Sequence, residues 1–212
     1  MNTLIAVPCM DQVAAGFAYS LAMLRKVGDC AVTFTIGSLI YDSRNKIAAQ
    51  AIEMGADRIL WLDSDMTFSP DLLEKLSADL DEDEDRVMVT GVYHRRVNPY
   101  TPVLFKDLEN TNNALDWKGY DDYPKDGLFE IAGCGFGCVL MKTEILFNMA
   151  GRYGTWFEPM LGAGEDLAFC MRAHEIGYKI HCDPSVQCGH IGNLIVTSQF
   201  YESLKGSKKD ES

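Results

Sequence analysis

No apolar run in this sequence approaches the roughly eighteen residues that a membrane span requires. The opening residues, MNTLIAVPCMDQ, have neither the basic start nor the small-residue cleavage site of a secretory signal. Positive charge is also scarce. Nineteen Lys plus Arg stand against thirty-one Asp plus Glu, a formal charge of −12, so most of the surface repels nucleic acid and anionic lipid and neither is expected as a partner. A small anion is not excluded, because a bound cation and one or two arginines can reverse the potential inside a single cleft. The seven cysteines, at positions 9, 30, 134, 138, 170, 182 and 188, include no CxxC pair. An odd number without that spacing argues against a disulfide framework or a zinc ribbon and for reduced thiols, which makes the cytoplasm the expected compartment. There is no repeat at solenoid spacing. The acidic run over residues 79–85 lacks the glycine and terminal glutamate of an EF-hand calcium loop, so a solvated loop is expected there.

What is present suffices for one core. The chain has 212 residues, 47% of them hydrophobic, with ten Phe and nine Tyr, and one domain over residues 1–204 with a flexible tail over 205–212 is expected. Residues 3–8 form an apolar run ending at Pro8, a buried first strand that opens into a loop. Residues 14–27 read as a helix, 31–36 as a strand and 43–54 as a helix ended by Gly55. The run from Arg58 to Asp63 is nearly all apolar, as in a strand covered on both faces. Ser69 then looks like an N-cap with Pro70 at the first helical position, before a helix to about residue 80 and a strand over 87–92. Residues 93–130 promise only short strands and a mobile surface loop. Residues 131–141 read as a strand in which Gly133, Gly135 and Gly137 imply close approach of backbone or ligand. A helix over 165–176, ended by Gly177, and a strand over 178–182 complete an α/β pattern with a mostly parallel central sheet flanked by helices.

Asp63-Ser64-Asp65 follows its strand directly and so falls at the carboxyl edge of the sheet, where open α/β folds bind ligands. In an extended stretch the two carboxylates point the same way and can share one hard cation such as Mg²⁺ or Mn²⁺. Taken alone, the triplet is more simply a turn or cap. Glu165 and Asp166 open the later helix, where its dipole favours ionised carboxylates; they are either first-turn acids or a base able to take a proton from a hydroxyl. His190, between two glycines, sits where an imidazole stays accessible. His94, His174 and His181 lack such surroundings.

The succession Ile5-Ala6-Val7-Pro8, Asp42-Ser43-Arg44-Asn45, Leu60-Trp61-Leu62-Asp63-Ser64-Asp65, Gly133-Cys134-Gly135-Phe136-Gly137, Gly164-Glu165-Asp166 and Gly189-His190-Ile191-Gly192 resembles the GT-A glycosyltransferases, in particular the family 2-like group. The resemblance spans roughly residues 3–192. It implies a metal-dependent enzyme that moves a sugar from a nucleoside diphosphate donor, with UDP favoured, to a hydroxyl of a glycan or small-molecule acceptor. By the same resemblance Pro8 and Met10 approach the nucleoside, and Arg44 and Asn45 lie near phosphates or ribose. Asp63 and Ser64 face the ribose and sugar, while Asp65, Asp63 and His190 hold a divalent cation, Mn²⁺ or Mg²⁺. Asp166, with Glu165 second, is implied as the base of an inverting transfer. Arg95 or Arg96 is a further candidate for the donor phosphates and Trp156 for stacking on a sugar, each against a plainer role in a surface ion pair or in packing. The chain's shortness disfavours a polymerising or lipid-linked acceptor. A sugar-phosphate nucleotidyltransferase would need a glycine- and lysine/arginine-rich loop after the first strand, which residues 8–13 lack. A non-catalytic nucleotide-sugar or carbohydrate-binding module remains the alternative.

Overall fold

Residues 4–7, 59–62 and 138–141 are almost completely excluded from solvent, so each run must be covered on both faces. The computed structural model, which describes residues 1–37, 39–112 and 114–192, shows how. In chain order the elements are β1 (Asn2–Cys9), α1 (Ala15–Met23), β2 (Asp29–Ile36), α2 (Ile40–Glu53), β3 (Arg58–Leu62), β4 (Met66–Thr67), α3 (Leu72–Asp81) and β5 (Met88–Val92). They continue with β6 (Leu104–Thr111), β7 (Ala114–Gly119), β8 (Phe129–Ile131), β9 (Gly133–Cys134), β10 (Cys138–Lys142), α4 (Glu144–Tyr153), α5 (Glu165–Glu175), β11 (Ile180–Gln187) and β12 (Gly189–His190).

Seven strands form one twisted sheet in the order β2-β1-β3-β10-β5-β11-β8. β1 pairs in parallel with both neighbours and β5 with β11, whereas β10 and β8 pair antiparallel. Five of the seven strands therefore share a direction, the mostly parallel α/β sheet expected from the sequence. Alternate strand residues feed two cores. Leu4, Ala6, Ile59, Trp61 and Val139 pack with α2, α4 and α5 on one face. Ile5, Val7, Leu60, Leu62 and Leu140 pack with α1 and α3 on the other.

Several expected boundaries move. α1 stops at Met23, because Leu24 turns extended and the Arg25 N–H donates to the Pro70 carbonyl at 2.8 Å. Ser69 does not cap α3: the helix begins at Leu72 after Asp71, and the Ser69 hydroxyl donates to the Asp71 carboxylate instead. The acidic run is not a simple solvated loop. Its first residues complete α3, Asp81 pairs with the buried Arg58, and burial together with Asp183 pushes the Asp79 carboxyl up to about 6. The glycine-rich stretch is two strands, β9 and β10, rather than one. Residues 93–130 contain the β6–β7 hairpin, which joins β9 in a separate three-stranded sheet. α4 escaped the sequence reading, although Ile145, Leu146 and Met149 are buried at helical spacing and Gly154, with φ of 70°, ends the helix. The expected tail over 205–212 and the boundary at 204 lie outside the described residues.

Candidate active site

β1 and β3 end side by side, so Pro8 and Cys9 lie next to Asp63 at the carboxyl edge of the sheet. Met10, Gly37, Ile40, Ser43, Ser64, Asp65, Arg96 and His190 complete the wall of a cleft of about 380 Å³. His190 reaches it through a two-stranded ladder in which it pairs with Met66, and the Ile191 N–H donates to the Asp65 carbonyl at 2.8 Å. Gly189 is required there, since a Cβ would run into the Thr67 hydroxyl. Ser43, at the start of α2, carries a buried hydroxyl with no hydrogen-bond partner among the described residues.

Asp63-Ser64-Asp65 is a turn, not the extended stretch expected: the Met66 N–H donates back to the Asp63 carbonyl at 3.1 Å. The two carboxylates line one cleft yet engage different cations. Asp63 accepts from Arg44 Nη2 at 2.8 Å, and the same guanidinium reaches Glu165 through Nε at 3.1 Å. Arg44 is 3% exposed and its guanidinium lies over the rings of Trp61 and Phe136, 5.6 and 5.3 Å from their centroids. The structure thus sets Arg44 beneath the cleft, as a tie between α2, β3 and α5. Asn45 is turned elsewhere, accepting from the Phe157 N–H at 3.0 Å and donating to Glu158 at 3.3 Å.

Four packed aromatic rings hold α5 against that tie. Phe157 and Phe169 stack at 4.6 Å, and Phe136 meets Phe169 edge-on at 5.1 Å and Trp61 at 6.0 Å, each pair worth about 0.5–1.5 kcal/mol beyond burial. α5 therefore presents Glu165 and Asp166 at a fixed height beside Asp63. Burial first, and then the charge of Glu165, push the Asp166 carboxyl up to about 6, against the opposing effects of the Leu167 N–H and Arg44. Tyr93 stands nearby with its phenol kept protonated by burial and by the charges of Asp63 and Asp166. The Gly137 N–H donates to its oxygen at 3.2 Å. This explains the glycines at 135 and 137: a Cβ at either would collide with the Tyr93 ring or hydroxyl. The close approach expected from the sequence is made by this tyrosine. Nothing in the sequence pairs Tyr93 with those glycines, because the contact joins the residue after β5 to the link between β9 and β10, far apart in the chain.

Asp65 faces the other way. It pairs with Arg96, and His190 Nε2 lies 3.4 Å from its Oδ2. Burial of Asp65 opposes its ionisation, but the His190 hydrogen bond and the His190 and Arg96 charges outweigh it, so its pKa falls below the usual range; the Asp65 hydrogen bond in turn raises that of His190. His190 Nδ1 lies 2.9 Å from the His94 carbonyl. A proton on Nδ1 would leave the Nε2 lone pair facing Asp65, the arrangement in which metal-binding histidines are held. Among the described residues no group of three His, Cys, Asp or Glu side chains converges on one point. An oxygen and a nitrogen donor do converge at Asp65 and His190, which fits a hard divalent cation whose remaining ligands come from elsewhere. His174 bonds the Ala132 carbonyl and Trp156 donates to the Leu146 carbonyl at 2.8 Å; both serve packing.

Residues 39–146, just over half of the chain, match the family described as Glycosyl transferase family 2. Curated proteins yield no match. Among solved structures the chain is similar to A197 from STIV, with a TM-score of 0.64 at 18% identity over 91% of this chain and 87% of that one. It is similar to GalNAc-T7 with UDP, GalNAc and Mn²⁺, with a TM-score of 0.64 at 10% identity over 91% of this chain and 44% of that one. It is also similar to S. aureus TarS 1–349 in complex with UDP-GlcNAc, with a TM-score of 0.56 at 15% identity over 97% of this chain and 65% of that one. The chain thus spans less than two thirds of the latter two. Identities this low establish a shared fold alone. No helix among the described residues is long and apolar enough to cross a membrane.

Proposed function

The chain belongs to glycosyl transferase family 2, and from that premise we propose that it transfers a sugar from a nucleoside diphosphate to an acceptor hydroxyl with inversion, using Asp166 as base. The observation that carries this reading is that two unlike carboxylates flank Asp63, Asp166 through the Arg44 cluster and Asp65 along the same turn. Asp166 is raised to about 6, close to the range in which a carboxylate both accepts a proton readily and is ionised at neutral pH. Asp65 is lowered beside an imidazole and suits permanent charge.

Each residue then has a task. Pro8, Met10 and the partnerless Ser43 hydroxyl form the wall for the nucleoside, with UDP favoured by the ligands seen with GalNAc-T7 and TarS. Asp63 and Ser64 face the ribose and sugar. Arg44 acts beneath them, fixing Asp63 and Glu165, and Asn45 braces the loop before α5. Asp65 and His190, without Asp63, which is tied to Arg44, would hold Mn²⁺ or Mg²⁺, which supplies charge neutralisation for the departing diphosphate. That neutralisation is needed because two aspartates otherwise repel a pyrophosphate. Asp166 takes the acceptor proton while the acceptor oxygen bonds to the anomeric carbon. The bond from that carbon to the diphosphate oxygen breaks, and the electron pair leaves with the nucleotide.

The test follows thermal midpoint with UDP, GDP, CDP and dTDP, each with and without Mn²⁺, and then UDP release from UDP-sugars with Asp166→Asn. A Mn²⁺-dependent shift for one nucleotide and loss of transfer in the variant are expected. Folded protein that responds to no nucleotide would sink the transferase reading and favour a carbohydrate-binding module.

A further inference from the structure

Adjoining the first cleft is a second cavity of about 510 Å³, lined by His94, Arg95, Arg96, Tyr100, Cys188, Gly189, His190 and Gly192. It shares Arg96 and His190 with the first cleft, and its size is that of a small-ligand site. In a chain of charge −12 its wall holds, among the described residues, two arginines and two histidines and no acid. Asp65, the carboxylate that reaches into this neighbourhood, is taken by Arg96.

Arg95 has no such partner among the described residues. Its half-buried guanidinium stands over the Trp117 ring at 5.6 Å, and no carboxylate among the described residues lies within ion-pair distance of it. Trp117 is itself fixed, edge-on to Phe105 at 5.2 Å and donating to the Gly162 carbonyl at 3.4 Å. A guanidinium stacked on an anchored ring keeps its plane and its in-plane N–H donors in one orientation. Such a group, desolvated on one side and without a counter-charge, is preorganised for an anion with two oxygens, a phosphate or a carboxylate. Gly162 also leads, four residues on, to Asp166, so the same contact ties this wall to the loop that enters α5.

We propose that Arg95, held on Trp117 beside the loop that enters α5, binds the phosphate or carboxylate of an anionic sugar acceptor. The inference rests on the transferase reading for the word acceptor, but its binding test needs no turnover. Trp117 is the exposed one of three tryptophans, Trp61 being fully buried and Trp156 half-buried, so its fluorescence reports occupancy beside Arg95. Glucose 6-phosphate and glucuronate are titrated into the full chain against glucose and inorganic phosphate, with UDP plus Mn²⁺ titrated separately.

The anionic sugars are expected to bind roughly 10- to 100-fold more tightly than glucose and more tightly than inorganic phosphate. Arg95→Gln should remove the advantage, Arg95→Lys should restore part of it, and the UDP affinity should stay unchanged in both. Equal binding of glucose and its phosphate, an anionic preference that survives Arg95→Gln, or a loss of UDP affinity in its place would each overturn the proposal, the last by assigning Arg95 to the donor. UDP binding without any anionic-sugar binding sinks this inference and leaves the transferase. Anionic-sugar binding without UDP binding does the reverse.

Discussion

Asp63 and Asp65 are two residues apart in one turn, line one cleft and carry the same side chain, yet they live in opposite surroundings. Asp63 is bound to a guanidinium 3% exposed that also bonds Glu165 and lies over two aromatic rings. Asp65 is bound to a guanidinium 53% exposed and to an imidazole at 3.4 Å. The two carboxylates are about equally exposed, 30% and 26%, but a buried guanidinium cannot lose its partners without stranding charge in a low dielectric, whereas an exposed one exchanges partners at a cost near thermal energy. The motif therefore joins a permanent fixture to a replaceable contact: Asp63 holds the sheet edge to α5, and Asp65 is free to trade Arg96 for a ligand.

The largest effect that separates them is on stability. Arg44→Met should cost about 3–5 kcal/mol, because Asp63, Glu165 and Asp166 lose their common counter-charge, and Arg44→Lys should recover little since an ammonium cannot bridge two carboxylates in the same plane. Urea unfolding measures this; a loss below about 1 kcal/mol would mean that solvent reaches the cluster and that Asp63 is no fixture. Next is Asp166→Asn, which on the proposed mechanism lowers transfer by about 10²–10⁴-fold. It should also stabilise the fold by about 1–3 kcal/mol at neutral pH. The sign follows from the carboxyl's being raised to about 6. As pH climbs from about 4, the unfolded chain releases this proton first, so the native state loses stability until about pH 6. Thermal midpoints of the two proteins should therefore converge below about pH 4, and the rate of the native enzyme should rise through about pH 6. Third, Asp65→Asn should remove the Mn²⁺-dependent part of the UDP shift, about 2.7 kcal/mol at a hundredfold excess over Kd, while changing the stability of the apoprotein by at most about 1 kcal/mol.

That contrast marks where the sequence was legible. The order from β1 to β5, the sheet's mostly parallel character, and the position of Asp63 and Asp65 directly after a strand follow from local signals, apolar runs and glycines that end helices, whereas α4 and the β6–β7 hairpin were missed. What each carboxylate touches does not. Arg44 reads as the start of a solvated helix or a phosphate ligand, because its burial depends on Trp61, Phe136 and Glu165, residues 17 to 121 positions away. Tyr93 was hidden for the same reason, its partner Gly137 lying far along the chain, and Arg95, read as a candidate for the donor phosphates, gave no sign of its contact with Trp117. The extended geometry expected at residues 63–65 failed locally, since a turn bond to the Asp63 carbonyl competed with the strand.

The smallest effect tests the replaceable half most directly. Arg96 is exposed and its bond to Asp65 is of the surface type, so Arg96→Gln should move stability by no more than about 0.5 kcal/mol. Its consequence for metal has a definite sign. Arg96 and a divalent cation compete for the same Asp65 carboxylate; a competing contact worth about 0–1 kcal/mol weakens the free protein's grip on the ion by up to about fivefold. Mn²⁺ titrated without nucleotide and followed by electron paramagnetic resonance should bind the variant more tightly by up to that factor, and binding should vanish in Asp65→Asn. A weaker grip in Arg96→Gln would mean that Arg96 holds Asp65 in place for the ion, as Arg44 holds Asp63, and the distinction between the two aspartates would collapse to one of depth alone.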